Sequence, residues 1–200
     1  MLLDYKTGVV GAGRVGAGMA TLMAGHGCWV TIVGVDEADL KRCRGILEGN
    51  LDELVAQNLA TPQNKAAVMK RFTLTTDPAK LQNCTFVLEA AFEDLEVKKS
   101  IYRQIETVVA DHTLIASTTS AISAELLAAD MSHPERFAVT HPFQPAHILP
   151  LVELVGGPDT SPETINRLRI FLESLDREVV TLHKSVPGFI INRFAQALFR

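Results

Sequence analysis

The sequence predicts an α/β fold built on a doubly wound, mostly parallel sheet. Three observations predict it. Short apolar runs alternate with longer segments of helical period along most of the 200 residues. The first run, Lys6–Val10, leads straight into Gly11-Ala12-Gly13-Arg14-Val15-Gly16 and then into a helical stretch. Later runs deliver Glu93, Ser120 and His141 just past their ends. That is where an open parallel sheet binds its ligands, beyond the carboxyl ends of the strands.

Strand, glycines and helix together give the first loop its meaning. Gly11 permits the tight turn, Gly13 lets backbone approach a pyrophosphate, and Gly16 allows close helix–strand packing. The N–H groups at the helix start face the anion, so Gly11, Gly13, Arg14, Val15 and Gly16 are candidate cofactor-binding residues of a Rossmann-like unit. Met19, Ala20, Leu22 and Met23 continue the helix, and Gly25 and Gly27 end it. Trp29–Val33 is the second strand, beyond which an acid should bind a ribose diol. Gly34 stands at its end, so Asp36 is the expected diol ligand and NAD the expected cofactor. Lys41 and Arg42 follow closely and keep NADP open. From Asp39 to about Arg71 the pattern is helical and polar. Thr61-Pro62 breaks it, and a short helix is expected from Gln63 to Met69. A solvated face outweighs a substrate-binding arm as its reading.

Thr85–Glu89 is a buried strand, and Val97, Ile101, Ile105 and Val108 mark one face of the next helix. Thr113–Ala116 is a strand ending in Ser117-Thr118-Thr119-Ser120, hydroxyls that also suit a helix N-cap. Phe137–Thr140 delivers His141. A Pro-bounded loop then leads to a second apolar strand, Leu149–Val155, which contains Glu153. A carboxylate among Leu and Val is costly without a donor. His141 is the nearest candidate, and such a carboxylate orients an imidazole and makes it more basic. Ser161-Pro162-Glu163 opens a helix, and Glu178–Leu182 is the last strand. Val186–Arg193 opens another helix, expected to run on at Arg200. The expected division is a dinucleotide-binding domain over residues 1–185 and the start of an all-α domain over 186–200, read as part of a longer protein.

Composition narrows the function classes. The formal net charge is −4, with no runs of Lys or Arg, which argues against nucleic acid and anionic membranes as partners. Cys28, Cys43 and Cys84 are few and widely spaced. They suggest neither a disulfide framework nor a metal site, and fit reduced thiols in a cytoplasmic protein. No apolar run is long enough to span a bilayer.

With these pieces in place the sequence resembles the 3-hydroxyacyl-CoA dehydrogenase family. The resemblance rests on the Gly11–Gly16 loop, Glu89-Ala90-Ala91-Phe92-Glu93 with Val97-Lys98, and Ala116-Ser117-Thr118-Thr119-Ser120. It continues with His141-Pro142-Phe143-Gln144-Pro145, Leu151-Val152-Glu153 and Pro187-Gly188-Phe189-Ile190-Ile191-Asn192-Arg193. It implies NAD-dependent oxidation of a 3-hydroxyacyl-CoA or related 3-hydroxy acid to the 3-keto product. On it, His141 is the general base and Glu153 its orienting carboxylate. Ser120 holds the substrate oxygen, Asn192 helps to fix that oxygen or the base, and Glu93 and Lys98 meet the ribose and nicotinamide side of the cofactor. Gln144 replaces the family's usual Asn as a cofactor contact, one methylene longer. The resemblance also implies a homodimer for the full-length protein. Gly34 departs from the acid the family carries there, and Ala121 replaces a second serine. The His141–Glu153 segment resembles the branch acting on free hydroxy acids, such as carnitine and gulonate 3-dehydrogenases with their lens-crystallin relative. A free-acid dehydrogenase and a non-catalytic, crystallin-like NAD-binding protein are therefore the alternatives.

Overall fold

The computed structural model describes residues 5–198. Its centre is an eight-stranded sheet of order β3-β2-β1-β4-β5-β6-β7-β8. The strands are β1 (Lys6–Val10), β2 (Trp29–Val33), β3 (Phe72–Thr75), β4 (Phe86–Glu89), β5 (Leu114–Ser117), β6 (Phe137–Pro142), β7 (Leu151–Gly156) and β8 (Glu178–Leu182). From β3 to β6 every neighbouring pair is parallel. β6 and β7 pair antiparallel, and β8 runs parallel to β7.

The helices are α1 (Arg14–Gly25), α2 (Glu37–Ala56), α3 (Pro62–Met69), α4 (Leu95–Glu106), α5 (Ala124–Ala128), α6 (Pro162–Glu173) and α7 (Ile191–Leu198). Two apolar clusters form the core. One joins sheet residues such as Val9, Ile32 and Leu88 to α1, α2 and α6. The other joins Val87, Ile115 and Val139 to Tyr102 and Ile105 of α4 and Leu127 of α5. Helices thus cover both faces, as parallel strands require. α1 is small and apolar nearly all round, and Gly16 through Ala24 are all buried. Gly18 keeps it slim where the chain after β6 crosses, since a Cβ there would meet Ala146 Cβ at 3.3 Å.

Caps set the helix starts. Asp36, Thr61, Asp94, Ser123 and Ser161 each accept a backbone N–H of their own helix's first turn. Two features differ from the sequence reading. β3 is a strand where none was expected: four residues at the sheet edge, none fully buried, with no apolar run to mark them. The last helix begins at Ile191 and is described to Leu198, so its expected passage through Arg200 lies outside the described residues.

Candidate active site

The carboxyl ends of β1, β4, β5 and β6 lie side by side, because these four strands are sheet neighbours and parallel. They bring the glycine loop, Glu93, Ser120 and His141 to one edge, as the sequence implied. Each glycine does a distinct task. Gly11 has φ +113°, and a Cβ on it would strike the Ala90 carbonyl oxygen at 2.4 Å. A Cβ on Gly16 would strike the Gly11 carbonyl oxygen at 2.1 Å. A Cβ on Gly13 would meet no protein atom within 4 Å, so the bare backbone there faces open space. Gly13 and Arg14 are exposed and Val15 partly so. α1 has neither a side-chain cap nor an acid in its first turn, which suits a pyrophosphate. These residues fit a dinucleotide.

Behind the edge lies a buried charge network. Glu89 closes β4 with no exposed surface, and Lys98 of α4 is 1% exposed. Glu89 Oε1 accepts from Lys98 Nζ at 2.7 Å and from the Ala91 N–H at 2.7 Å; Oε2 accepts from Tyr102 at 2.6 Å and Ser117 at 2.7 Å. Four donors on one carboxylate answer the cost of burying it. Burial, and then the Glu89 charge, push the Tyr102 phenol well above its ordinary value, which keeps it a donor. Lys98 also reaches Glu93 Oε2 at 3.2 Å. Glu93 Oε1 accepts from the Thr119 hydroxyl and from the Ser120 N–H. Burial raises the Glu93 carboxyl, but Thr119, Lys98 and Ser120 outweigh it and hold the group below the ordinary 4.5.

Lys98 therefore does not project from the edge; it reaches the edge only through its contact with Glu93. The sequence reading passed over Glu89, Tyr102, Ser117 and Thr119 as parts of the site. A glutamate closing a buried apolar strand, nine residues before a helical Lys on the apolar face, was the available signal.

His141 and Glu153 stand directly opposite each other in the antiparallel β6–β7 ladder. His141 Nδ1 lies 2.9 Å from Glu153 Oε2. A carboxylate only accepts, so the hydrogen sits on Nδ1, and Nε2 of the neutral ring carries the lone pair. Nε2 has no hydrogen-bond partner among the described residues. Glu153 is 1% exposed. Its Oε1 accepts from the Ile190 N–H at 2.8 Å and the Ile191 N–H at 3.3 Å. Phe143 and Phe189 rings flank the imidazole at 5.4 and 5.2 Å.

Asn192, in the first turn of α7, lines a cleft of about 750 Å³ together with Ser120, Ala121, Pro187 and Gly188. The structure thus brings Ser120 and Asn192 together across one cleft. The His141–Glu153 pair attaches to the same helix start through Phe189, Ile190 and Ile191. Gln144 is exposed on the chain leaving β6. Asp36 caps α2, its Oδ1 accepting the Asp39 N–H at 2.7 Å. No described helix is long and apolar enough to cross a membrane.

Residues 6–186 match the family model described as 3-hydroxyacyl-CoA dehydrogenase, NAD binding domain. The chain is 35% identical over 200 residues to a 3-hydroxyadipyl-CoA dehydrogenase of Escherichia coli (strain K12), covering all of this chain and 42% of that protein. It is 30% identical over 195 residues to an L-carnitine dehydrogenase of Oceanobacillus iheyensis, covering 98% of this chain and 62% of the relative. It thus spans only part of either relative. Among solved structures, an (S)-3-hydroxybutyryl-CoA dehydrogenase from Ralstonia eutropha superposes with a TM-score of 0.92 at 33% identity, covering 96% of this chain and 68% of that one. The chain belongs to the 3-hydroxyacyl-CoA dehydrogenase family and carries its NAD-binding domain.

Proposed function

We propose that this chain supplies the cofactor site and proton-transfer pair of an enzyme that oxidises a 3-hydroxyacyl-CoA, or a related 3-hydroxy acid, to its 3-keto product. The observation that carries the reading is the His141–Glu153 contact of 2.9 Å at the ligand edge of the sheet. When bound, NAD supplies the hydride acceptor. The protein has to move one proton and hold the reacting carbon in line. His141 takes the 3-hydroxyl proton on Nε2. Glu153 fixes the ring through Nδ1 and stabilises the imidazolium that forms. Ser120 and Asn192, facing each other across the cleft, hold the substrate oxygen. Gly11, Gly13, Arg14, Val15 and Gly16 receive the pyrophosphate. Glu93, held by Lys98, and Gln144 meet the cofactor's ribose and nicotinamide side. Relatives acting on 3-hydroxyadipyl-CoA and on carnitine support the class of reaction.

A second reading, a dehydrogenase of a free hydroxy acid, is favoured by one observation. Of the three cations in or just after residues 50–69, namely Lys65, Lys70 and Arg71, two are already engaged. Lys65 pairs with Asp52, while Arg71 donates to the Gly27 carbonyl at 2.6 Å and lies over the Trp29 ring. That leaves little charge for the phosphates of a CoA. A screen of NADH formation by the natural protein separates the readings. Turnover of 3-hydroxybutyryl-CoA well above 3-hydroxybutyrate, carnitine and gulonate supports the first, and the reverse order supports the second. Turnover of none favours a non-catalytic NAD-binding protein. We further propose a homodimer in the cytoplasm; three buried free thiols suit a reducing compartment.

A further inference from the structure

The end of β2 lacks the acid that this type of site uses to hold an adenosine ribose, because Gly34 occupies it. The space is not empty. A Cβ built on Gly34 would lie 3.0 Å from Asp39 Oδ2 and 2.7 Å from Leu40 Cδ2. The Asp39 carboxylate therefore lies, with Leu40, beside the place where a side chain at position 34 would begin, reaching back to the strand end from the first turn of α2.

It is held in place from three sides. Asp39 Oδ2 accepts from the Val35 N–H at 3.3 Å, and Oδ1 accepts from Arg42 Nη2 at 3.0 Å. Beneath it, Asp36 Oδ1 accepts the Asp39 N–H at 2.7 Å. One side of the carboxylate stays open, since the Asp39 side chain is 18% exposed. Two large apolar side chains follow the strands on either side of β1: Val35 after β2 is 86% exposed and Phe92 after β4 is 79% exposed. Exposed apolar groups beside a phosphate-binding loop are suited to an adenine ring.

We propose that Asp39, delivered by α2 instead of by β2, is the acid that holds the ribose diol of NAD and rejects the 2′-phosphate of NADP. The inference rests on the assignment of this chain as an NAD-binding domain. Asp36 then acts as a positioning residue, spending an oxygen on the helix cap. Arg42 is paired with Asp39, so a 2′-phosphate would have to compete with that carboxylate for it. The carboxylate supplies two charge-assisted acceptors to the diol and like-charge repulsion to a phosphate.

The test is calorimetric titration of the 200-residue chain with NAD, NADP and ADP-ribose, comparing wild type, Asp39→Asn and Asp36→Asn. Asn at 36 keeps the capping oxygen and loses the charge; Asn at 39 loses the charge and keeps one acceptor oxygen, enough for Val35 or Arg42 but not for both. Asp39→Asn is expected to raise the Kd for NAD and ADP-ribose about 10- to 100-fold and to narrow the NADP/NAD ratio. Asp36→Asn is expected to stay within about threefold of wild type for both. The opposite pattern, equal losses in both variants, or no loss in Asp39→Asn overturns the proposal. If Asp39→Asn does not fold by circular dichroism, Asp39→Ser replaces it under the same criteria. A wild-type chain that binds neither NAD nor ADP-ribose overturns the underlying NAD-binding assignment, which is a separate result.

Discussion

Glu153 joins Ile190 to the imidazole: one carboxylate oxygen accepts the Ile190 N–H at 2.8 Å while the other faces His141 Nδ1 at 2.9 Å. The side chain that holds the imidazole also anchors the start of α7, the helix that carries Asn192. Replacing it with glutamine puts an amide NH₂ against one of two N–H donors, so one contact must fail. Glu153→Gln is expected to lower kcat about 10²- to 10⁴-fold, with KM changed far less, because the ring loses its fixed tautomer. Steady-state kinetics on the best substrate of the screen check this. Protease sensitivity between Leu182 and Ile191 should rise in the same variant.

His141→Ala should remove the proton acceptor and leave the cofactor edge intact. Turnover is expected to fall about 10²- to 10⁴-fold. NAD affinity by titration should stay close to wild type, because the glycine loop and Glu93 stand on other strands. Turnover close to wild type would falsify the assignment of the base.

The Glu89–Lys98 pair is 0% and 1% exposed, so solvent screens it little. Lys98→Met strands a buried carboxylate and should cost about 3–5 kcal/mol in a urea melt. Adding Glu89→Gln should restore part of that loss, since a neutral amide can still accept from Tyr102 and Ser117. Little recovery in the double variant would show that packing around the methionine, and not the unpaired charge, dominates.

Glu93 gives the cofactor edge an acid limit. Its carboxyl is held below the ordinary 4.5 in the folded state. A group lowered on folding contributes stability above its unfolded value, and that contribution is lost as pH falls through the folded one. The stability difference between wild type and Glu93→Gln should therefore be flat above pH 4.5 and shrink below it. Chemical melts at a series of pH values check this. A difference unchanged down to the lowest pH at which the chain still folds counts against it.

Burial pushes the Cys28, Cys43 and Cys84 thiols up to about 11. At pH 8 only on the order of one in a thousand is a thiolate, even before access is considered. Native chain should label slowly with iodoacetamide, and all three thiols should label promptly in denaturant. Fast labelling of a single cysteine would mark a local opening at that site.

Much of the architecture was legible because apolar runs and helical periods were strong and the caps were conventional. β3 escaped because a short edge strand with half-exposed side chains carries no run of apolar residues. The His141–Glu153 contact was legible because a glutamate inside an apolar strand demands a partner. Lys98 was expected on the ribose and nicotinamide side of the cofactor, and only the fold shows that it lies buried on Glu89. Asp36 read as a ligand because it follows a strand. Its aspartate neighbour three residues on is the spacing of a helix cap, and the structure uses it as one.

The β6–β7 ladder has a consequence for how such a chain changes over time. His141 and Glu153 face each other because backbone register puts them there. A one-residue slip would send every side chain of a strand to the other face. Within the connecting segment, residues 143–150, Phe143 packs on the imidazole and Ala146 is buried against α1, so change without disturbing the pair is confined to exposed positions such as Leu149 and Pro150. The loop surface can therefore drift at those positions while the His141–Glu153 pairing stays fixed by the weave of the sheet.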